Sequence, residues 1–188
     1  EILPQWESDT GPEMQTQGRN YLASMGIYVF NRSLLFDELQ NEYKEAKDFG
    51  KEIIPQSIHK HKVISYQYDG YWTDIGNIYS FFEANLALTQ DIPPFNLFDN
   101  NKMVYSRARM LPPAKISGSN LNNTLLAEGS IIKAEKISNS VIGIRSRIGT
   151  GTIIEGCYLM GSDFYETLEE IAHNFKNKIP PVGIGDNC

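Results

Sequence analysis

The chain has 188 residues, 41% hydrophobic and 21% charged, which is ordinary globular composition and enough length for one domain or two small ones. A formal net charge of −6 removes the bulk electrostatic case for nucleic acid or an anionic membrane surface as partner. No apolar run approaches the ~20 residues that span a bilayer, and two cysteines, Cys157 and Cys188, are too few for a disulfide framework and read as free thiols of a reducing compartment.

Residues 1–20 are polar and carry Pro4, Gly11, Pro12 and Gly18, the composition of a loop or linker. "YLASMGIYVF", residues 21–30, predicts a buried strand with Gly26 inside it. A helix follows over "NRSLLFDELQNEYKEA", with Leu34, Leu35, Glu38, Leu39 and Tyr43 at helical spacing and Asn31 or Ser33 as N-cap. Ile53, Ile54 and Ile58 suit a short helix with Pro55 in its first turn. "KVISYQYDG", residues 62–70, alternates with period two and predicts a strand closed by Gly70, with Asp69 as the acid of the turn. "NIYSFFEANLALTQ", residues 77–90, repeats Ile78, Phe81, Phe82, Leu86 and Thr89 on one face and predicts an amphipathic helix. The order strand, helix, helix, strand, helix is that of part of an α/β sheet.

From about residue 115 the period becomes six. Leu125, Ile131 and Ile137 recur, then after a slip of one Ile142, Ile148, Ile154 and Met160, with Gly143 and Gly149 following two of them. β-Branched residues at period six with glycine at turns predict a hexapeptide parallel β-helix. Residues 161–181 interrupt it with a looped or helical segment, and Ile184-Gly185 resume it. The chain starts at Glu1 without Met and stops inside "VGIGDNC", so both ends read as those of a piece of a longer polypeptide.

Candidate chemistry gathers in "YDGYWTDIG", residues 68–76. Read alone, Asp74 serves either as a turn acid before Gly76 or as a carboxylate for Mg²⁺ or a sugar hydroxyl. Trp72 serves either as a core ring or as a stacking wall. Asp48-Phe49-Gly50 repeats the theme of acid, ring and glycine. Arg107 and Arg109, beside Lys102 and Lys115, form a local basic group, either a solvated strand edge or an anion site. His59, His61 and His173 have no companions at catalytic spacing. No G-x-S-x-G, H-E-x-x-H, C-x-x-C or glycine-rich phosphate loop occurs. A hexapeptide acyltransferase is disfavoured because residues 115–160 hold no histidine.

"YLASMGIYVF", "DFGKEIIP", "YDGYWTDIGNIYSFFEANLALT", "LPPAKI", "SVIGIRSRIGTGTIIEGCYLMGSDFYET" and "PPVGIGDNC", in this order, resemble the ADP-glucose pyrophosphorylase (glucose-1-phosphate adenylyltransferase) family from about residue 20 onward. The resemblance implies a fold of class α/β plus β. Residues 1–93 would be the C-terminal, sugar-phosphate side of a Rossmann-like nucleotidyltransferase domain and 94–114 a linker. Residues 115–188 would be the start of a left-handed β-helix interrupted at about 161–181. It implies conversion of ATP and α-D-glucose 1-phosphate to ADP-glucose and diphosphate with Mg²⁺, for glycogen or starch synthesis, in a homo- or heterotetramer of the bacterial cytoplasm or plastid stroma. By position, Ser24, Tyr28, Asp48, Phe49, Trp72 and Asp74 match glucose-1-phosphate contacts. Asp74 also matches a metal ligand, and Arg107 and Arg109 match an allosteric anion site. The family's glycine-rich loop, second metal-sharing aspartate and phosphate-gripping lysine have no match here, so the chain alone is expected to be inactive. The alternative is a non-catalytic regulatory or assembly subunit of the same family.

Overall fold

The computed structural model describes residues 12–18 and 20–188. They divide into two compact units, one ending at Tyr68 and the other spanning Asp69–Cys188. Most of the linker expected over 1–20 lies outside the described residues. Its described end is a single helical turn, α1 (Pro12–Thr16), where a loop was expected. Proline suits a helix start, where an N–H has no partner to lose, and Thr16 Oγ1 donates to the Glu13 carbonyl at 2.6 Å.

The first unit then holds α2 (Arg32–Gln40), a π-helical turn (Phe49–Ile53) and α3 (Ile54–Ser57). Asn31 caps α2, its side chain accepting from the Ser33 and Leu34 N–H groups at 3.1 and 3.4 Å. Its small core rests on Ile53 and on Tyr43, which is 4% exposed. The two strands expected at 21–30 and 62–70 do not form; no strand occurs before Lys115 among the described residues. The reason is physical. A strand exists through its ladder, and neither run is laddered as a strand among the described residues. Val29 is accordingly 97% exposed, and Ile27, Ile64 and Tyr66 also face solvent. Asp69 therefore follows an extended run and not a strand end.

In the second unit α4 (Ile78–Ala87) begins at a capping box, in which Asn77 Oδ1 accepts from the Ser80 N–H at 2.9 Å and Ser80 Oγ lies 3.4 Å from the Asn77 N–H. It packs on the coil behind it, Phe81 meeting Tyr158 edge to face at 5.0 Å between ring centres. Ile78, expected on the packed face, is exposed at the first turn.

The coil is built of β1 (Lys115–Ile116), β2 (Asn120–Leu126), β3 (Ile131–Ile132), β4 (Lys136–Ile142), β5 (Arg147–Ile148), β6 (Ile153–Glu155) and β7 (Tyr158–Leu159). All pairings are parallel: β1–β3–β5 form one sheet, β2–β4–β6 another, and β7 also pairs with β4. Lys115 stands beside Ile131 and Ile131 beside Arg147, one coil apart each time. The ladders correct the inward phase of the repeat at two steps: Leu125 stands beside Val141 while Leu126, beside buried Ile142, packs on the core. Ile131 lies in a row with a lysine and an arginine, and Ile132, fully buried, points inward instead. Ile137, Ile142, Ile148 and Ile154 stack in the core as the period predicts, whereas Met160 is 80% exposed. There the chain has left the ladder, turning at Gly161 with φ 87°.

At one corner Asn123 and Asn139 adopt left-handed φ values of 44° and 46°, a conformation asparagine tolerates. They lie one coil apart, and Asn123 Nδ2 donates to Asn139 Oδ1 at 3.4 Å. Buried hydroxyls close other corners. Ser130 and Ser146 both donate to the Gly143 carbonyl, and Thr152 donates to the Gly185 carbonyl at 2.7 Å. The excursion after β7 contains α5 (Leu168–Lys176), and the ladder resumes at an Ile148–Ile184 bridge, as the sequence predicts.

Candidate functional site

In the first unit the extended segment 21–30 and the turn at 48–50 bring four of the expected residues together. Ser24 Oγ lies 3.1 Å from the Tyr28 hydroxyl. The Tyr28 ring stacks on Phe49 at 6.1 Å, with 26° between the planes. Asp48 opens the π-helical turn, its Oδ1 accepting from the Lys51 N–H at 2.8 Å. A Cβ built on Gly50 would lie 3.4 Å from both Asp48 Oδ1 and the Tyr28 hydroxyl. Carboxylate and phenol thus converge over one glycine, beside the face of a ring, and the Ser24 hydroxyl joins them through Tyr28. Asp48 Oδ2 accepts no hydrogen bond from the described residues.

Two supports here were not among the expected site residues. Phe30 completes a three-ring cluster, 6.2 Å from Tyr28 and 5.7 Å from Phe49. Glu52 Oε1 accepts from the backbone N–H groups of Lys47 and Asp48, both at 3.0 Å, and so fixes the approach to the turn. The signal for Phe30 was present in the alternation of Tyr28 and Phe30. Glu52 left none, because its bonds go to backbone.

A second cluster in this unit gives His61 a partner that motif spacing did not predict. Glu38, 6% exposed, forms an ion pair with His61 Nε2 and accepts from Ser57 Oγ at 3.4 Å. The acid stands between serine and histidine, so the histidine cannot take the serine proton. The trio ties α2 to α3 and is not a nucleophile relay. His173 Nε2 lies 3.1 Å from Asn177 Nδ2.

In the second unit Trp72, Asp74, Arg107 and Arg109 all lie on exposed, extended chain. The Asp74 carboxylate turns back under Gly76, whose added Cβ would lie 3.3 Å from Oδ1. Neither of its oxygens accepts a hydrogen bond from the described residues. No three His, Cys, Asp or Glu side chains gather at metal-binding distance among the described residues. One free carboxylate nonetheless fits Mg²⁺, which takes one or two carboxylates and fills its remaining positions with phosphate oxygens and water. Arg107 and Arg109 make no ion pair with a described residue. Met110, with φ 48°, turns the chain just after them toward Leu111 and Pro112, and Pro112 accepts from the Gly129 N–H at 2.8 Å. The arginines are thereby held at the entrance to the coil.

The described chain thus carries a helical unit with this cluster of hydroxyls, carboxylate and rings, and a unit built on a coil of parallel strands. Comparison with known families gives two matches, the first of which runs across the boundary between the compact units at Tyr68. Residues 11–91 match the nucleotidyl transferase model, and residues 109–188 match the GLGC left-handed parallel β-helix domain. The chain therefore carries a nucleotidyl transferase segment followed by a left-handed β-helix, a pairing that fits a GLGC-like nucleotidyltransferase. No helix among the described residues is long and apolar enough to cross a membrane.

Proposed function

We propose that this chain is the sugar-phosphate side of a glucose-1-phosphate adenylyltransferase. The reaction joins ATP and α-D-glucose 1-phosphate to give ADP-glucose and diphosphate, the glucosyl donor step of glycogen or starch synthesis. The observation that supports the reading is the cluster around Tyr28: its hydroxyl meets Asp48 over Gly50 and lies 3.1 Å from Ser24 Oγ, and its ring stacks on Phe49. A sugar needs this combination: an apolar ring for its C–H face, and hydroxyl and carboxylate partners for its hydroxyls.

In the reaction a phosphate oxygen of glucose 1-phosphate attacks the α-phosphorus of ATP. The bond from that phosphorus to the bridging oxygen breaks, and diphosphate leaves. No protein nucleophile is required, and catalysis rests on positioning and charge neutralisation. In the first unit Tyr28 and Ser24 donate to sugar-phosphate oxygens and Asp48 Oδ2 accepts from a sugar hydroxyl; in the second unit Trp72 presents an exposed ring face of the kind that stacks on a sugar. Asp74 offers its free carboxylate to Mg²⁺, which when bound offsets phosphate charge. Arg107 and Arg109 hold an effector anion. Assembly into a tetramer, and residence in cytoplasm or plastid stroma, belong to the same reading.

The test is an NMR titration of the chain with glucose 1-phosphate, glucose 6-phosphate and ADP-glucose. Glucose 1-phosphate and ADP-glucose should shift the amides of Ser24, Tyr28 and Asp48, and Asp48→Asn should weaken the response about tenfold, the loss of one charge-assisted hydrogen bond. Equal response to glucose 6-phosphate, or shifts confined to other residues, would overturn the assignment.

A further inference from the structure

The cluster around Tyr28 is built on two arms of the chain. One arm carries Tyr28 and Phe30 and runs through the Asn31 cap into α2 (Arg32–Gln40). The other starts at Asp48 and Phe49 and runs through the π-helical turn into α3 (Ile54–Ser57). At the near end the arms meet through rings, Tyr28 and Phe30 against Phe49, and through Tyr28 and Asp48, which face each other over Gly50. Eight positions past Phe30 and Phe49 stand Glu38 and Ser57. There the arms meet again, Ser57 Oγ donating to Glu38 Oε2 at 3.4 Å. The equal offset makes these two contacts the ends of one frame.

The far end depends on a charge. Glu38 and Ser57 are both buried, and Glu38 Oε1 meets no donor among the described residues except His61 Nε2, its ion-pair partner. The other charged and titratable groups nearby are engaged elsewhere or face away. Lys60 pairs with Glu42 and lies 5.9 Å from the centre of the Tyr43 ring. Tyr43 buries its hydroxyl without a partner among the described residues. His59 and Lys62, which flank this pair of residues in sequence, are exposed and make no ion pair with a described residue.

A buried carboxylate without its cation is penalised. An imidazole is the side chain whose charge changes within the physiological range. Once His61 gives up its proton, Glu38 keeps only the long bond from Ser57. It then turns toward water or takes a proton itself, and in either case the ion pair between α2 and the chain after α3 is gone.

We propose that Glu38 and His61 are positioning residues: their ion pair braces the two arms, and the proton on His61 sets how closely Tyr28 and Asp48 face each other over Gly50. Ligand affinity at this cluster falls as that proton is lost. The effect on ligand rests on the sugar-phosphate reading; the coupling between the brace and Gly50 does not.

NMR of the free chain across a pH series tests the coupling. The Tyr28 and Gly50 amides should follow the same midpoint as the His61 ring protons, and His59→Gln should leave that response in place. His61→Gln should remove it and weaken glucose 1-phosphate binding about tenfold, within the range usual for coupled sites. His61→Arg, which keeps a cation at every pH used, should restore binding without restoring the pH response. A merely structural histidine would not produce that split. The wild-type titration needs no variant, so a variant that fails to fold leaves the test intact. If the amides follow His61 and glucose 1-phosphate does not bind, the brace stands and the sugar-phosphate reading falls. The brace is overturned if Tyr28 and Gly50 ignore the His61 titration, if they titrate unchanged in His61→Gln, or if His61→Arg binds no better than His61→Gln.

Discussion

Residues 21–30 and residues 136–142 both read as strands, and only the second run became one. The difference is not in propensity. The first run holds Ile27, Tyr28, Val29 and Phe30, as good a strand composition as the Ile137, Val141 and Ile142 of β4. What differs is where the partner comes from. In the coil each strand finds its neighbour one turn away in the same chain, Asn120 beside Lys136 and Lys136 beside Ile153. The first run has no such local partner and stays extended and solvated. A repeat carries its own context within the sequence, whereas an α/β sheet borrows context from distant segments.

This contrast can be broken or sharpened by substitution. The largest effect is expected for Ile137→Ala, which empties a fully buried position stacked between coils. It should cost about 2–5 kcal/mol, read as accelerated amide exchange across β2, β4 and β6. Gly143→Val comes next, since any Cβ there would overlap the Met160 carbonyl group. A loss of about 1–3 kcal/mol is expected in thermal unfolding. Thr152→Val keeps the shape but deletes the hydrogen bond to the Gly185 carbonyl, a change of about 1 kcal/mol, seen as earlier exchange at Asn187 and Cys188.

Smaller again is the effect of pH on α5. The Glu170 carboxylate is held below the ordinary glutamate value by the Thr167 backbone N–H first and the Thr167 hydroxyl second. A depressed folded value stabilises above the ordinary carboxylate range, and the contribution is lost as pH falls through the folded value. Carbonyl or carbon chemical shifts of residues 168–171 should lose helical character at acid pH, and Glu170→Gln should remove that dependence. The smallest effect is expected for Val29→Thr. At 97% exposure the side chain has no packing to lose, and melting should shift by less than about 0.5 kcal/mol equivalent. A large loss there would show that the extended segment does pack.

These differences explain what the sequence disclosed. The coil was legible because its period is short. Ile137, Ile142, Ile148 and Ile154 were found from spacing alone, and the errors at Leu125 and Ile131 are each one residue of register. Helix α2 was legible through its spacing and the cap offered by Asn31, since caps act within one turn, and α4 through the spacing of Phe81, Phe82 and Leu86. The expected site residues were named from motif likeness, and spacing could not have shown that Tyr28 and Asp48 meet over Gly50 with Ser24 against Tyr28. That meeting depends on a turn whose Glu52 bonds to backbone atoms. The Glu38–His61 pair escaped for the same reason: 23 positions separate two residues that helix packing joins.

The excursion that carries α5 has a kinetic consequence. Ile131 finds Lys115 across one coil, so the lower rungs can zip in succession from neighbouring chain. Ile148 must instead wait for Ile184, 36 residues on, and closing that longer loop costs about 0.7 kcal/mol more than closing a single coil by the logarithmic law. The rung above the excursion should therefore form last and open first. Folding then runs in one direction along the coil, and the segment holding α5 acts as its final latch.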